Sequence, residues 1–266
     1  MDRILCVWLP NWAIETWRRR NPSASPGDLP AQGGFALIAQ TRGVRRLAAL
    51  DRAAVSLGLF VGQKAADASA LAPGLTTADA EPEADSAALI ALADWCCRFS
   101  PAVAVDGADS LVLDITGVAH LWGGEAAMVG DLVRRLAGNG LTARTAVAGN
   151  AAAAWALARF APDRTLVAEG AEAETLAALP VTALRLEDAV VAQIVRLGLT
   201  TIGRLAALPR DALTRRFGAG VVARLDQALG RAGEALTYRR PPTPWLARLA
   251  FADPISAPED FARVTS

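Results

Sequence analysis

Residues 105–117, Val-Asp-Gly-Ala-Asp-Ser-Leu-Val-Leu-Asp-Ile-Thr-Gly, constrain the fold of this chain more than any other stretch. Asp106-Gly107 is a turn dipeptide: glycine supplies positive φ, and aspartate can bond the backbone two residues on. The apolar run Leu111-Val112-Leu113 that follows has strand length. A second apolar segment, 103–105, precedes the turn, so the two predict an antiparallel strand pair. Asp109 then stands at the mouth of a strand. A carboxylate there is placed to hold Mg²⁺ against a nucleoside triphosphate, because Mg²⁺ takes hard oxygen ligands and shares them with phosphates.

The rest of the chain supplies partners for that pair. Residues 4–9 are a short apolar run stopped by Pro10, which reads as a buried strand. Residues 12–20 predict a helix with Ala13, Ile14 and Trp17 on one face and three arginines in its last turn, where cations suit the helix dipole. Residues 21–34 read as a loop, 35–39 as a strand, 47–57 as a helix closed by Gly58, and 65–71 as a short helix. Residues 78–85 read as an acidic connection. Leu89, Leu92, Ala93 and Cys96 recur at helical spacing over 86–99. A helix over 124–137, a strand over 142–148 and an alanine-dense helix over 151–160 follow. Strands alternating with helices in this order predict an α+β fold, a split βαβ sheet with helices on one face.

Beyond Pro162 the pattern changes to short helices over 172–179, 187–197, 202–208, 210–216 and 221–229. Residues 239–244, Arg-Arg-Pro-Pro-Thr-Pro, read as a stiff extended linker. A strand over 245–251 and a helix start at 257–261 follow, as if a further domain were cut just as it begins.

Composition narrows the function classes. The 27 basic residues are 26 Arg and Lys64, matched by 27 acidic ones, so the formal net charge is zero. The arginine bias has the look of a GC-rich genome. A dedicated duplex-DNA binder usually carries a basic surplus, so tight DNA binding by this chain alone is not expected. Cys6, Cys96 and Cys97 form no Cys-x-x-Cys, and His120 is the only histidine, which leaves no zinc set. Reduced core thiols and a loop or core histidine are the expectation. No signal peptide and no uncharged membrane-length run are visible, so a soluble cytoplasmic protein that does not engage a membrane is expected.

Residues 105–117 resemble the motif Ser-Ile-Asp-Glu-Ala-Tyr-Leu-Asp-Val-Thr-Gly of the Y-family (lesion-bypass) DNA polymerases. Aligned on Leu113-Asp114, the family's catalytic Asp-Glu pair falls on Asp109-Ser110. The family's first-strand metal acid falls on Trp8, and the second position on Pro10. The Tyr and Arg that hold the incoming triphosphate fall on Arg52 and Val55; Arg45, Arg46 and Arg52 are the cations left to meet phosphate. The resemblance implies a right-handed polymerase architecture. Its palm would span residues 1–13 and 82–163, small fingers 14–81, a thumb 164–232, a linker 233–245, and the start of a truncated little-finger domain 246–266. It implies a catalytically degenerate branch with no catalytic residue set, Asp109 being the one residual candidate metal ligand. Mg²⁺ would be a cofactor only if activity survived.

Residues 215–221, Arg-Arg-Phe-Gly-Ala-Gly-Val, resemble the hairpin of a helix-hairpin-helix. Gly218 and Gly220 would let the backbone approach a phosphate, with the next helix N-terminus offering free N–H groups and Arg215, Arg216 and Arg224 flanking. Residues 180–184 fall on the other hairpin and lack its glycines. The resemblance further implies an adaptor in DNA-damage-induced mutagenesis, part of the SOS response. Its partners would be damaged or primed DNA, the sliding β-clamp, an error-prone C-family DNA polymerase and a RecA-related accessory protein. Two other readings stay open at this level. One is an active translesion polymerase with a metal site rebuilt from Asp106, Asp109 and Asp114; the other is a helix-hairpin-helix DNA-binding module without a polymerase role.

Overall fold

The computed structural model describes residues 2–22 and 34–239. Two sheets organise them. The large sheet has the order β8-β7-β1-β6-β5-β9. Its centre is β1 (Ile4–Trp8), flanked by β6 (Ser110–Asp114) and β7 (Arg144–Ala148), both antiparallel to it. The expected pair is β6 with β5 (Ala102–Asp106), joined by the Asp106-Gly107 turn, where Gly107 has φ +67°. β8 (Thr165–Leu166) adds in parallel to β7.

The sheet is covered on both faces, which corrects the expectation of helices on one face only. Leu5, Val7, Val103, Leu111, Leu113 and Val147 face α4 (Pro82–Cys96) and α5 (Glu125–Gly138), where they meet Leu89, Ala93, Met128 and Leu132. Ile4, Cys6, Val112, Ala146 and Ala148 face the other way, onto α6 (Ala151–Phe160). The physical reason is in the strands: their apolar runs are continuous rather than alternating, the signature of burial on both sides. Ala153, Ala154 and Leu157 of α6 are fully buried, and the alanines let the helix axis approach the sheet closely. Asn150 caps α6 by accepting a 2.8 Å hydrogen bond from the Ala153 N–H. Asn150→Ala should lower stability by about 1 kcal/mol, read as a shift in urea midpoint at constant slope.

The small sheet has the order β3-β2-β4. β2 (Phe35–Thr41) and β3 (Val44–Leu50) form a hairpin across Arg42-Gly43, both at positive φ (+50° and +78°), the primed turn that two-residue hairpins require. β4 (Thr76–Asp79) joins β2 in parallel. The helix expected over 47–57 is therefore half strand. Helix α2 spans only Arg52–Ser56, started by Asp51, which accepts from the Ala54 N–H at 2.9 Å. The apolar periodicity of 47–57 is shared by a strand that packs one face and the short helix after it, and the turn chemistry decides between them. The acidic connection over 78–85 likewise holds the end of β4 and the start of α4, with Pro82 in its first turn. Helices α1 (Trp12–Arg20) and α3 (Ala65–Leu71) lie where the sequence predicts. Asp85 ties α4 to α1: it accepts from Thr16 Oγ1 at 2.8 Å and from Arg20 at 2.9 Å.

Helices α7 (Glu172–Ala177), α8 (Asp188–Arg196), α9 (Ile202–Ala206), α10 (Arg210–Phe217) and α11 (Ala219–Ala228) follow the predicted set. A 3-10 turn, Val181–Leu184, stands between α7 and α8. Leu176, Val181, Leu184, Ile194, Leu205, Leu213, Val221 and Leu225 close one core with α6 and the sheet, so the helical region is docked rather than tethered. Residues 238–239, read as linker, are the strand β9 (Tyr238–Arg239), paired with Val103 and Ala104 at the sheet edge. The expected strand over 245–251 and helix start at 257–261 lie outside the described residues.

All three thiols are free. Burial pushes the Cys6 and Cys96 thiols up to about 12. Both therefore stay protonated and inert at pH 8, and Cys97, half-buried, is the one thiol expected to react with a thiol reagent in the native protein. The sign of the linkage follows. A folded value raised above the unfolded one of about 9 gives stability that is complete below pH 9 and lost as pH rises toward 12. Urea midpoints measured from pH 8 upward should fall.

Candidate functional site

The β1–β6 register sets Trp8 directly opposite Ser110, and Asp109 stands just outside β6, its carbonyl accepting from the Leu9 N–H. The sequence-predicted trio Trp8, Asp109 and Ser110 therefore converges at one point. The carboxylate of Asp109 is engaged on both oxygens. Oδ2 accepts from the Trp8 indole N–H at 2.9 Å. Oδ1 accepts from Arg159 at 2.8 Å and from the Ser110 hydroxyl at 2.8 Å. The same Arg159 nitrogen lies 2.6 Å from Ser110 Oγ.

Arg159 was not legible as a site residue. It comes from the last turn of α6, whose packing on the sheet carries its side chain to the mouth of β1 and β6. Its guanidinium carbon lies 3.9 Å from the ring centre of Trp155 and 5.0 Å from that of Trp8. The side chain is only 12% exposed. Burial draws its pKa below the ordinary arginine value, while Asp109 pulls the other way. Arginine keeps its proton under such conditions, so a fixed positive charge sits here. The one sequence signal for it is the i, i+4 pair Trp155–Arg159, the bulky polar positions of an otherwise alanine-rich helix.

A second arginine extends the cluster into the helical region. Arg185, at φ +54° after the 3-10 turn, stacks on Trp155 with its guanidinium carbon 4.4 Å from the ring centre. It forms a close ion pair with Asp106 (2.9 Å) and a longer one with Glu234 (3.4 Å). Glu234 also meets Arg224 at 3.1 Å. Asp106 is thus neutralised, and Asp114 lies at the far end of β6, opposite Ile4, accepting from the Thr116 N–H. Asp106, Asp109 and Asp114 do not come together, and no group of three metal-ligating side chains exists among the described residues.

Mg²⁺ needs near-octahedral oxygen ligands, usually one or two carboxylates plus phosphates. Here one carboxylate is bonded to an indole donor and a guanidinium, and neither donor can ligate a cation. The residues present do not fit the metal.

Beside this point lies a cleft of about 820 Å³ between the two sheets. Pro10, Ala13, Leu50, Val55, Phe60 and Val61 line it, and among the described residues its charged groups are Asp85 and Asp109, with no arginine or lysine. Phe60 and Val61 are each 62% exposed. Arg52 is exposed but does not line the cleft, and Arg45 and Arg46 are held by Asp79 and the Gly62 carbonyl. A triphosphate would meet acids and hydrocarbon here.

In the helical region Gly218, at φ +89°, joins α10 to α11 and is the hinge that only glycine adopts readily. Gly220 lies in the first turn of α11, and both glycines are exposed. Arg216 is exposed, and Arg215 pairs only with Asp211 on its own helix. Arg224 sits apart from them, bonded to Glu234. The turn Val181–Leu184 buries its apolar side chains, so it presents no glycine cradle. His120 is an exposed residue of the 3-10 turn Ala119–Trp122.

Known proteins resemble this chain in sequence and in fold. The impB/mucB/samB family model (IMS) matches residues 32–159. The ImuB proteins of two Caulobacter vibrioides strains are 63% identical over 210 residues, 79% of this chain and 46% of theirs. The chain thus spans about half the length of those curated relatives. Among solved structures, DinB from Sulfolobus solfataricus superposes with a TM-score of 0.72 at 14% identity, covering 88% of this chain and 69% of that one. The insertion ternary complex of Dbh DNA polymerase gives 0.72 at 15% identity over the same shares. These last two establish the fold, the right-hand architecture of Y-family polymerases. By sequence and by fold, the chain is a Y-family DNA polymerase-like protein of the ImuB type, its impB/mucB/samB match spanning residues 32–159.

Proposed function

We propose that this chain is a non-catalytic Y-family homologue that acts as an adaptor in DNA-damage-induced mutagenesis and translesion synthesis. The observation that carries the reading is the polymerase metal position itself. Trp8 and Ser110 stand where acids would, and the remaining carboxylate is bonded to Arg159. Two-metal phosphoryl transfer needs both the attacking and the leaving oxygen neutralised by metal. Without those ligands, and with a cleft whose described residues offer phosphate no cation, the chemistry lacks a site.

The adaptor would join damaged or primed DNA, the sliding β-clamp, an error-prone C-family polymerase and a RecA-related accessory protein, in the cytoplasm at the nucleoid. Support for these partners is the likeness to ImuB. No helix among the described residues is long and apolar enough to cross a membrane. Support for DNA contact is the α10–α11 hairpin, with Arg215, Arg216, Gly218 and Gly220 on an exposed surface. Such contacts position a duplex without reading its sequence. Replacing Arg215 and Arg216 by Ala together should reduce the slope of log K against log salt by about 2, measured by fluorescence anisotropy on duplex DNA.

The direct test is calorimetric titration of the folded chain with Mg²⁺ and a deoxynucleoside triphosphate. No binding at millimolar ligand is expected. Clear metal-dependent binding would overturn the reading and make primer extension the next assay.

A further inference from the structure

We propose that the Arg159 guanidinium is a resident cation in the metal's place, and that it bars divalent metal from the site independently of the two missing acids. This rests on the reading of the site as a displaced metal centre. It adds that the displacement has a positive occupant.

Three observations carry it. First, one nitrogen of Arg159 bonds both residues on which the Y-family acid pair falls, at Asp109 Oδ1 (2.8 Å) and Ser110 Oγ (2.6 Å). Second, the charge is fixed rather than mobile. Trp8 and Trp155 hold the guanidinium through their ring faces at 5.0 and 3.9 Å, and the side chain is nearly buried. A surface arginine could swing away; this one has no room to. Third, Trp8 serves both partners. Its indole N–H bonds Asp109 and its ring faces Arg159, so the residue that replaces a metal acid also helps seat the replacement cation. Arg185 continues the stack on Trp155 while pairing with Asp106 and Glu234, so the neighbouring acids are neutralised by arginine as well.

The consequence is unequal restoration. Putting carboxylates back at positions 8 and 110 supplies ligands but leaves the guanidinium between them. A glutamate at 110 would inherit the hydrogen bond that Ser110 now receives. A neighbouring arginine changes a carboxylate's affinity for a proton by about 10- to 1000-fold. A divalent ion should be disfavoured by at least roughly 100-fold on the same electrostatic ground.

The experiment uses Mn²⁺ as probe, read as loss of the free-ion electron paramagnetic resonance signal, with Mg²⁺ calorimetry alongside. The proteins are the chain as it is, Trp8→Asp with Ser110→Glu, and that pair with Arg159→Met added, each checked for folding by circular dichroism. The triple variant should bind Mn²⁺ roughly 100-fold more tightly than the double. Equal binding by double and triple, or no binding by a folded triple, would overturn the proposal. Binding of Mn²⁺ at this site by the unchanged chain would overturn the proposal and the non-catalytic reading together. A cycle of Asp109→Asn and Arg159→Met in the unchanged background decides the matter if the multiple variants do not fold. Coupling of at least about tenfold in the unfolding constant is expected for a seated ion pair; additive effects would overturn the proposal.

Discussion

Replacing Val112 by Asp is expected to leave no folded protein. Val112 is fully buried on the face of β6 that packs against α6 and the helical region, in one cluster with Cys6, Ala146 and Leu157. An isolated carboxylate there has no partner, and burying it costs more than the whole stability of a typical domain, about 5–15 kcal/mol. Leu113→Asp on the opposite face should be equally severe, because Leu113 is buried against α4 and α5. The pair of outcomes tests the two-sided sheet. Circular dichroism and the soluble yield give the readout; a folded Val112→Asp protein would mean that α6 and the helical region do not cover the sheet as described.

Trp155→Ala has the next largest expected effect, a loss of about 2 kcal/mol, less than for tryptophan in a packed interior because Trp155 is half-buried. The ring lies between Arg159 and Arg185, at 3.9 and 4.4 Å from their guanidinium carbons. Its removal opens a cavity and also brings two cations together across it. The repulsion falls where α6 meets the segment after the 3-10 turn, beside the Arg185–Asp106 ion pair to β5. Urea unfolding should show a lower midpoint. Limited proteolysis should show faster cleavage within the helical region, over residues 164–232, than in the large sheet. Trp155→Phe keeps a ring face and should recover most of the loss. If phenylalanine and alanine variants were equally destabilised, the stacked arginines would contribute nothing beyond packing.

Much of the fold was legible because local signals and tertiary demand agree. The hairpin of β5 and β6 is written in Asp106-Gly107 between apolar runs, α1 in its apolar face and terminal arginines, and α6 in its alanine density. The misread segment, 47–57, is where two short elements share one apolar pattern. The decisive signal there was the Arg42-Gly43 turn, just upstream of the region in question. The one-sided sheet was misjudged because a continuous apolar strand reports burial without naming what does the burying. That needs the long-range packing of residues 172–229 onto α6.

The candidate site divides along the same line. The sequence by itself determined that Trp8, Ser110 and Arg52 stand at the positions where the Y-family resemblance implies two acids and a tyrosine, because residue identity needs no coordinates. It also determined the Gly218 hinge between two helices. The tertiary structure alone decided that Trp8, Asp109 and Ser110 meet, through the β1–β6 register, and that Arg159 fills the space between them. It alone decided that Arg224 turns to Glu234, and that the cleft carries no cation among the described residues. The physical reason is range. Propensity and turn chemistry act over a few residues, whereas the partners of Asp109 come from positions 101 and 50 residues away along the chain. Only a packed sheet and helix bring such charges within hydrogen-bonding distance.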